Sequence, residues 1–214
     1  MAAPSRKIVF WEVDTQADFM LPGGSLYVPG AEKMIPNIKR LVDAAREGRV
    51  FLVSSACRHV PNDPEFKTYP PHCIRGTEGA RIIPEGLARK FYTIPNEKDF
   101  TLPKDLLNYQ QVVIEKQVLN VFSNPQTSAL VELLGKDAEY FIFGVVTELC
   151  VRHAASGLLE RGRKVSLVKD AIETLKLEHG RGALAELRVS GAELVTTEEA
   201  LAAVNASPPK RAHR

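Results

Sequence analysis

The chain has 214 residues, of which 44% are hydrophobic and 25% charged, a balance typical of an ordinary globular protein with one core. Its 28 basic and 26 acidic side chains leave a net charge of +2, so we expect no nucleic-acid partner. No apolar run is long enough to span a membrane, and none near the N-terminus resembles a secretion signal. Three widely spaced cysteines do not form a disulfide framework, so we expect a cytoplasmic protein with free thiols.

Strand and helix patterns alternate along the chain. This alternation predicts an α/β fold of the three-layer, Rossmann-like kind, in which helices cover both faces of a parallel sheet. We expect one domain over residues 1–204 and a disordered tail at 205–214. The predicted strands are 8–13, 50–54, 112–115, 140–146, 165–168 and 193–195, and the predicted helices are 32–46, 125–134, 147–162, 178–189 and one that begins at a Thr-Thr-Glu-Glu capping pattern, 196–199.

One long segment interrupts this alternation. Residues 56–107 contain many prolines and show only weak periodicity. A loop of this length inside a compact domain is usually functional, so we expect it to form a wall of the functional site.

Cys150 follows a buried strand and lies where the next helix begins. If Thr147 is the N-cap, Cys150 is at position N3, where free N–H groups and the helix dipole favour a thiolate. This position makes Cys150 a candidate nucleophile. The alternative is a buried, inert cysteine, which is the commoner role of the residue.

Asp14 and Lys116 also follow strand-like segments. Ligands of open parallel sheets bind beyond the carboxyl ends of the strands, so these two side chains and Cys150 are expected to meet in one crevice. There an ammonium group would lower the pKa of the thiol, and a carboxylate would take its proton and later release it to a leaving amine. Taken singly, Asp14 has an alternative role as an N-cap, and Lys116 as a surface charge.

Three segments resemble motifs of the isochorismatase-like cysteine hydrolases, the superfamily that includes nicotinamidases. They occur in the family order and span nearly the whole chain. They are Val-Asp-Thr-Gln-Ala-Asp-Phe at 13–19, a lysine followed by Asn-Val-Phe at 116 and 120–122, and Gly-Val-Val-Thr-Glu-Leu-Cys-Val at 144–151.

The resemblance implies a role for each reactive side chain. It implies that Asp14 carries protons, that Lys116 is an electrostatic activator and that Cys150 is the nucleophile. It also implies a cis peptide bond between Val145 and Val146, with the N–H groups of Val146 and Cys150 directed at the oxyanion.

The same resemblance extends to a metal site. His72, in Tyr-Pro-Pro-His-Cys, matches a ligand of the divalent ion in the nicotinamidase branch. Cys57 and His59 lie where that branch has an Asp-x-His pair, and Glu65 lies where it has another histidine. Thiolate, imidazole and carboxylate together suit zinc. The alternative is a site that has lost its metal and uses the two histidines for hydrogen bonds.

Four residues are predicted to form the substrate pocket. Phe19 and Tyr69 match aromatic positions around a flat ring in nicotinamidases, and Phe122 is expected to close the pocket. Leu149 replaces a histidine of some nicotinamidases and makes the pocket more apolar. A buried carboxylate predicted at Glu12 has no evident partner in the sequence.

The resulting hypothesis is a hydrolase of a small planar amide, acting through a thioester with release of ammonia. Two alternatives remain: a hydrolase of a ureido or carbamoyl amide, and a catalytically silent binding protein of the same fold. No nucleotide cofactor is expected, since the sequence has neither a Gly-x-Gly-x-x-Gly turn nor a P-loop. The resemblance implies a homo-oligomer.

Overall fold

The computed structural model describes residues 7–206. Its centre is a seven-stranded sheet in which every strand pair is parallel. The strand order is β3-β4-β2-β1-β5-β6-β7. The strands are β1 (Lys7–Val13), β2 (Phe51–Cys57), β3 (Phe91–Ile94), β4 (Gln111–Lys116), β5 (Ala138–Gly144), β6 (Lys164–Ile172) and β7 (Glu193–Val195).

Helices cover both faces of this sheet, and one apolar core lies on each side. Strand β1 is buried on both faces, so its side chains alternate between the two cores. One core contains side chains of α1 (Ala17–Met20), α2 (Ile35–Arg46) and α6 (Thr197–Ala206). The other contains side chains of α3 (Pro125–Leu134), α4 (Arg152–Leu159) and α5 (Leu177–Val189). The predicted three-layer α/β fold is therefore confirmed.

The topology brings several chain segments to the carboxyl end of β1. Strand β2 lies beside β1 on one side, and β5, which comes later in the chain, lies beside β1 on the other side. Such a change of direction opens a crevice beyond the strand ends, where ligands of open α/β sheets bind. Asp14 is the first residue after β1 and lies at this point.

The structure differs from the predicted elements in several places. Strand β5 begins and ends two residues earlier than predicted, and β6 continues to Ile172, beyond the predicted end at 168. Strand β3 lies inside the segment predicted as an irregular loop. The predicted helix at 147–162 begins as a π-helical turn over Thr147–Val151 and becomes α-helical only from Arg152. Helix α6 extends to Ala206, two residues into the predicted tail, and the rest of that tail lies outside the described residues. Within residues 7–206, no helix has the length and apolar character needed to cross a membrane.

Candidate active site

Asp14 is held in a left-handed turn directly after β1, with a φ of 49°. Its backbone N–H donates to the carbonyl of Ser55 at 3.1 Å, and the Ser55 hydroxyl donates to Asp14 Oδ1 at 2.7 Å. The carboxylate is buried. These contacts direct the second oxygen, Oδ2, toward the end of β4.

Lys116 ends β4 and has no solvent exposure. Its ammonium lies 2.8 Å from Asp14 Oδ2 and 3.5 Å from the sulfur of Cys150. Burial acts to lower the pKa of Lys116, but the facing carboxylate and the two sulfurs of Cys150 and Cys57 raise it well above its usual value. Lys116 is therefore a buried cation at every accessible pH.

Cys150 lies in the π-helical turn that follows β5. The expected cap is absent: the N-cap residue is Val146, and the Thr147 hydroxyl instead donates to the carbonyl of Glu173 at 2.7 Å. Burial raises the pKa of Cys150 well above its usual value, and the opposing effect of Lys116 does not compensate. Lys116 lowers the pKa of this thiol, as expected, but burial has the larger effect, so Cys150 is a thiol at rest.

Cys57 lies beside these three groups, a contact that sequence reasoning missed. Its sulfur is 3.0 Å from the Lys116 ammonium and 3.7 Å from Asp14 Oδ2. Burial and the neighbouring Asp14 carboxylate raise its pKa to about 12. The parallel register gives the reason for this contact, because Cys57 pairs directly with Lys116.

A cleft of about 410 Å³ opens above this cluster. Most of the predicted site residues line it, and so does Leu119, at a position where the resemblance implies a more apolar pocket. Three further apolar residues of the lining, from loops, were not identified from the sequence as pocket residues. The lining comprises Asp14, Phe19, Leu26, Val28, Cys57, Glu65, Tyr69, His72, Leu119, Val145, Val146, Leu149, Cys150 and Leu175. The peptide bond between Val145 and Val146 is cis, as expected from the resemblance.

Phe122 does not line the cleft, although it was predicted to close the pocket. Its ring stacks on Trp11 with centroids 6.3 Å apart, and the Arg161 guanidinium lies 3.9 Å from its centroid on the ring face. Gly157 of α4 leaves the space that this ring occupies. Phe122 therefore belongs to the packing between β1 and α4.

The predicted metal ligands also come together. Ligand atoms of Cys57, His59 and His72 lie within 4.8 Å of one another. Glu65 is adjacent, with Oε1 3.9 Å from His72 Nε2. The long segment 56–107 supplies all four residues, which confirms that it forms a wall of the cleft.

The hydrogen bonds of the two histidines fit a metal. His72 Nδ1 lies 2.7 Å from the carbonyl of Pro70, which leaves Nε2 for another partner. His59 Nδ1 lies 3.1 Å from Asp63 Oδ2, yet neither ring nitrogen of His59 makes a well-directed hydrogen bond. A fully buried imidazole with an orphaned nitrogen is costly unless a ligand satisfies it. Together with a thiol, these atoms form a donor set suited to zinc.

The buried side-chain amide of Gln16 fixes the end of β1 relative to the end of β2. Gln16 Nε2 donates to the carbonyls of Cys57 and Ala80, both at 2.8 Å, and its Oε1 accepts from the backbone N–H of Cys57 at 2.6 Å. The Asp18 side chain binds the segment that carries His72, because its Oδ2 accepts a hydrogen bond from the backbone N–H of Cys73 at 2.7 Å. These bonds hold the segment that carries His72.

Comparison with known proteins agrees with this fold and site. The sequence profile of the isochorismatase domain family matches residues 9–98 and 94–199. The chain therefore belongs to the isochorismatase family.

Within the family, several characterised proteins are similar to this chain. The nicotinamidase of Escherichia coli strain K12 is 23% identical over 211 residues, which covers 86% of this chain and 92% of that protein. A pyrazinamidase of Pyrococcus horikoshii in complex with zinc is 27% identical, with a TM-score of 0.71 over 89% of this chain and 99% of that one. An N-carbamoylsarcosine amidase of Thermoplasma acidophilum shares the fold at 22% identity, with a TM-score of 0.69 over 90% and 97% of the two chains.

Proposed function

We propose that this protein is a cysteine-dependent hydrolase of a small planar amide, similar in activity to nicotinamidases. One observation carries the proposal: a carboxylate, an ammonium and a thiol from three distant segments contact one another at the base of a cleft. The similarity to a nicotinamidase and a pyrazinamidase supports hydrolysis of a carbon–nitrogen bond outside peptides.

Each group has a distinct role in this mechanism. Asp14 accepts the thiol proton as the sulfur of Cys150 attacks the amide carbon, and then donates that proton to the departing ammonia. Lys116 stabilises the carboxylate and the developing sulfur anion through its fixed positive charge. A water molecule, deprotonated by Asp14, then cleaves the thioester.

The backbone of the π-helical turn supplies the remaining element of the mechanism. We assign the N–H groups of Val146 and Cys150 to the amide oxygen, where negative charge develops in the transition state. Both residues line the cleft.

The lining of the cleft favours a flat, mostly apolar substrate. Side chains of Phe19, Leu119, Leu149 and Leu175 line the cleft, and Tyr69 adds an aromatic ring to the lining. Apolar clefts with a few polar groups bind small ligands by burying most of their surface. A heteroaromatic carboxamide fits this chemistry better than a charged amino acid amide.

We propose that Cys57, His59 and His72, with Glu65, hold one divalent metal ion and that this ion is zinc. The orphaned nitrogen of His59 supports this assignment. A metal bound there would act as a Lewis acid on a lone pair of the substrate.

The activity is tested by measuring ammonia release from a panel of nicotinamide, pyrazinamide, aliphatic primary amides and N-carbamoyl amino acids. We expect turnover of the heteroaromatic amides and complete loss with Cys150→Ala. Cys73→Ala is the matched control, because Cys73 is buried outside the cleft. Turnover restricted to N-carbamoyl compounds would contradict the proposed substrate class, and no turnover of any amide would indicate a silent binding protein.

The metal is tested separately, by elemental analysis of the purified protein and by its zinc stoichiometry after dialysis. We expect about one equivalent in the wild type and none in His72→Ala, whereas His179→Ala, a change of an exposed histidine, keeps the metal. A wild-type protein that is metal-free and binds no added zinc would rule the site out. The cytoplasmic location and the homo-oligomeric state stay predictions.

A further inference from the structure

Apart from its proposed place as a metal ligand, Cys57 takes no part in the nucleophilic attack or the proton transfers, yet its thiol lies beside the nucleophile. The Lys116 ammonium is 3.0 Å from the sulfur of Cys57 and 3.5 Å from that of Cys150. The two sulfurs are therefore no further apart than these two distances combined. Both cysteines line the same cleft, so a small oxidant that reaches one sulfur also reaches the other.

We propose that Cys57 and Cys150 form an oxidisable dithiol, which a hydroperoxide such as hydrogen peroxide converts to an intramolecular disulfide. In this state the sulfur of Cys150 is bonded and cannot attack an amide. Thiol reductants break the disulfide and restore both thiols. Cys57 is the resolving cysteine of the pair.

The chemistry takes place in two balanced steps. Asp14 accepts the proton of the Cys150 thiol, the sulfur attacks one peroxide oxygen, and the O–O bond breaks with release of hydroxide. Asp14 returns the proton to this hydroxide, which yields a sulfenic acid and one water molecule. The Cys57 sulfur then attacks the sulfur of this sulfenic acid and displaces hydroxide, which takes the thiol proton and leaves as a second water. Two thiols and one peroxide thus become one disulfide and two waters.

The surroundings of the pair favour this outcome. The Asp14 carboxylate contacts both thiols, since Oδ2 lies 3.7 Å from the Cys57 sulfur and the side chain is hydrogen-bonded to Cys150. Closure requires both side chains to rotate and the ammonium between them to withdraw, because a disulfide joins sulfurs at about 2 Å. Without a resolving thiol, a sulfenic acid in this cleft oxidises further to a sulfinic acid, which is irreversible.

Cys73 provides an internal control. It is fully buried and does not line the cleft, so an oxidant in the cleft reaches Cys150 and not Cys73; its sulfur lies 3.9 Å from the carbonyl of Gly79. It is therefore not expected to compete with Cys150 for Cys57.

The test treats the full-length chain with hydrogen peroxide after a chelator wash, because a metal on Cys57 would occupy the same sulfur. Intact mass and peptide mapping without reduction then identify the cross-linked residues. We expect the loss of two hydrogens, a peptide pair that joins Cys57 to Cys150, and full reversal by dithiothreitol. Cys73→Ser should give the same result. In Cys57→Ser the cross-link disappears, and irreversible oxidation of Cys150 becomes several-fold faster than in the wild type.

A peroxide-treated wild type that contains only sulfinic Cys150, at the rate seen for Cys57→Ser, would overturn the proposal. A cross-link between Cys57 and Cys73 would do the same. Since the readout is mass, it does not depend on the proposed amide hydrolysis. The two proposals can therefore fail separately.

Discussion

The position of the catalytic proton follows from the burial of three side chains. Cys150 is a thiol at rest because burial outweighs the stabilising effect of the Lys116 ammonium on the thiolate, and the Asp14 carboxylate opposes the thiolate further. The carboxylate and the ammonium meanwhile form a direct ion pair at 2.8 Å. In the proposed mechanism, the negative charge therefore resides on oxygen until a substrate is present, and the sulfur becomes nucleophilic only as Asp14 takes its proton.

Replacing Asp14 with Asn should separate thiol ionisation from turnover. The change removes a charge that raises the pKa of Cys150 and leaves Lys116 free to stabilise the thiolate, so that pKa should fall. Alkylation of Cys150 by iodoacetamide, followed by peptide mass over a pH series, should then reach its midpoint at a lower pH than in the wild type. Amide hydrolysis should fall about 100-fold or more, because the leaving ammonia loses its acid.

Asp137→Asn is the control for this variant, since Asp137 is exposed and far from the cleft lining. This control should change neither the pH midpoint of alkylation nor the rate of amide hydrolysis. An Asp14→Asn protein that is alkylated at a higher midpoint than the wild type would contradict the assigned balance of charges.

The ion pair between Asp14 and Lys116 should also stabilise the folded protein. Lys116→Met keeps the apolar stem but leaves the buried Asp14 carboxylate without its cation, which should cost about 3–5 kcal/mol of unfolding free energy. The double variant with Asp14→Asn removes both charges and should recover much of this loss. Urea unfolding of the two single variants and the double variant measures the coupling.

An exposed ion pair is the reference for this comparison of single and double variants. Arg152 and Glu186 are 2.8 Å apart, with side chains 48% and 61% exposed, so Arg152→Met should cost less than about 1 kcal/mol. If Lys116→Met cost no more than Arg152→Met, the buried pair would not stabilise the site as argued.

At the scale of the secondary-structure elements, the strand ends could be predicted and the turns after them could not. Strands β1 and β4 are apolar runs that end at a charged residue, and that pattern located Asp14 and Lys116 from sequence alone. Strand β3 was missed because it is a four-residue edge strand whose first residue, Phe91, is exposed. The π-helical turn at Thr147–Val151 was missed because the Thr147 hydroxyl bonds to the distant carbonyl of Glu173, a tertiary contact that overrides its capping preference.

Helix α4 packs closely against the Phe122 ring at Gly157, which a matched pair of glycine variants can test. A Cβ at Gly157 would collide with the Phe122 ring, which is held between Trp11 and Arg161. Gly157→Ala should therefore lower the unfolding free energy by about 1–3 kcal/mol. Gly182, in the middle of α5, has no atom within 4 Å of the same position, so Gly182→Ala should raise it by up to about 1 kcal/mol.

Chemical denaturation of the two glycine variants measures both shifts. Equal effects of the two changes would mean that the ring moves freely and that α4 is not fixed by this contact. The pair is informative because both substitutions make the same gain in helix propensity, so only the contact with Phe122 differs.

At the scale of the whole molecule, the cleft is assembled from parts that carry no common sequence signal. Leu26 and Val28 come from the loop after α1, and Leu175 comes from the loop after β6, far away in the chain. In the sequence, all three look like ordinary apolar loop residues. Their convergence depends on how loops lie over the sheet edge, which periodicity does not encode. The reactive groups were predictable because strand ends of a parallel sheet share one edge, whereas the apolar lining required the folded structure.

Glu12, for which the sequence offered no partner, is held by a buried polar network in the middle of the sheet. Its carboxylate accepts from the hydroxyls of Thr15 and Ser54, both at 2.6 Å, and from Gln111 Nε2 at 3.2 Å. Gln111 also donates to the carbonyl of Gly86, so the network links three strands to the long wall segment. These bonds favour the charged form of Glu12, but burial outweighs them and raises its pKa to about 7.

This pKa should make the stability of the whole fold depend on pH. Between the usual value of 4.5 and about 7, the folded protein keeps the Glu12 proton that the unfolded chain releases, so stability falls as the pH rises through this window. The contribution amounts to about 3 kcal/mol. Urea unfolding at several pH values should show this fall in the wild type and in the exposed control Glu160→Gln. The amide of Glu12→Gln does not titrate, so in this variant the decrease in unfolding free energy over the same pH range should be smaller by about 3 kcal/mol. An identical pH profile in Glu12→Gln and the wild type would mean that Glu12 is ionised in the fold throughout, with its charge balanced by the hydroxyls and the Gln111 amide.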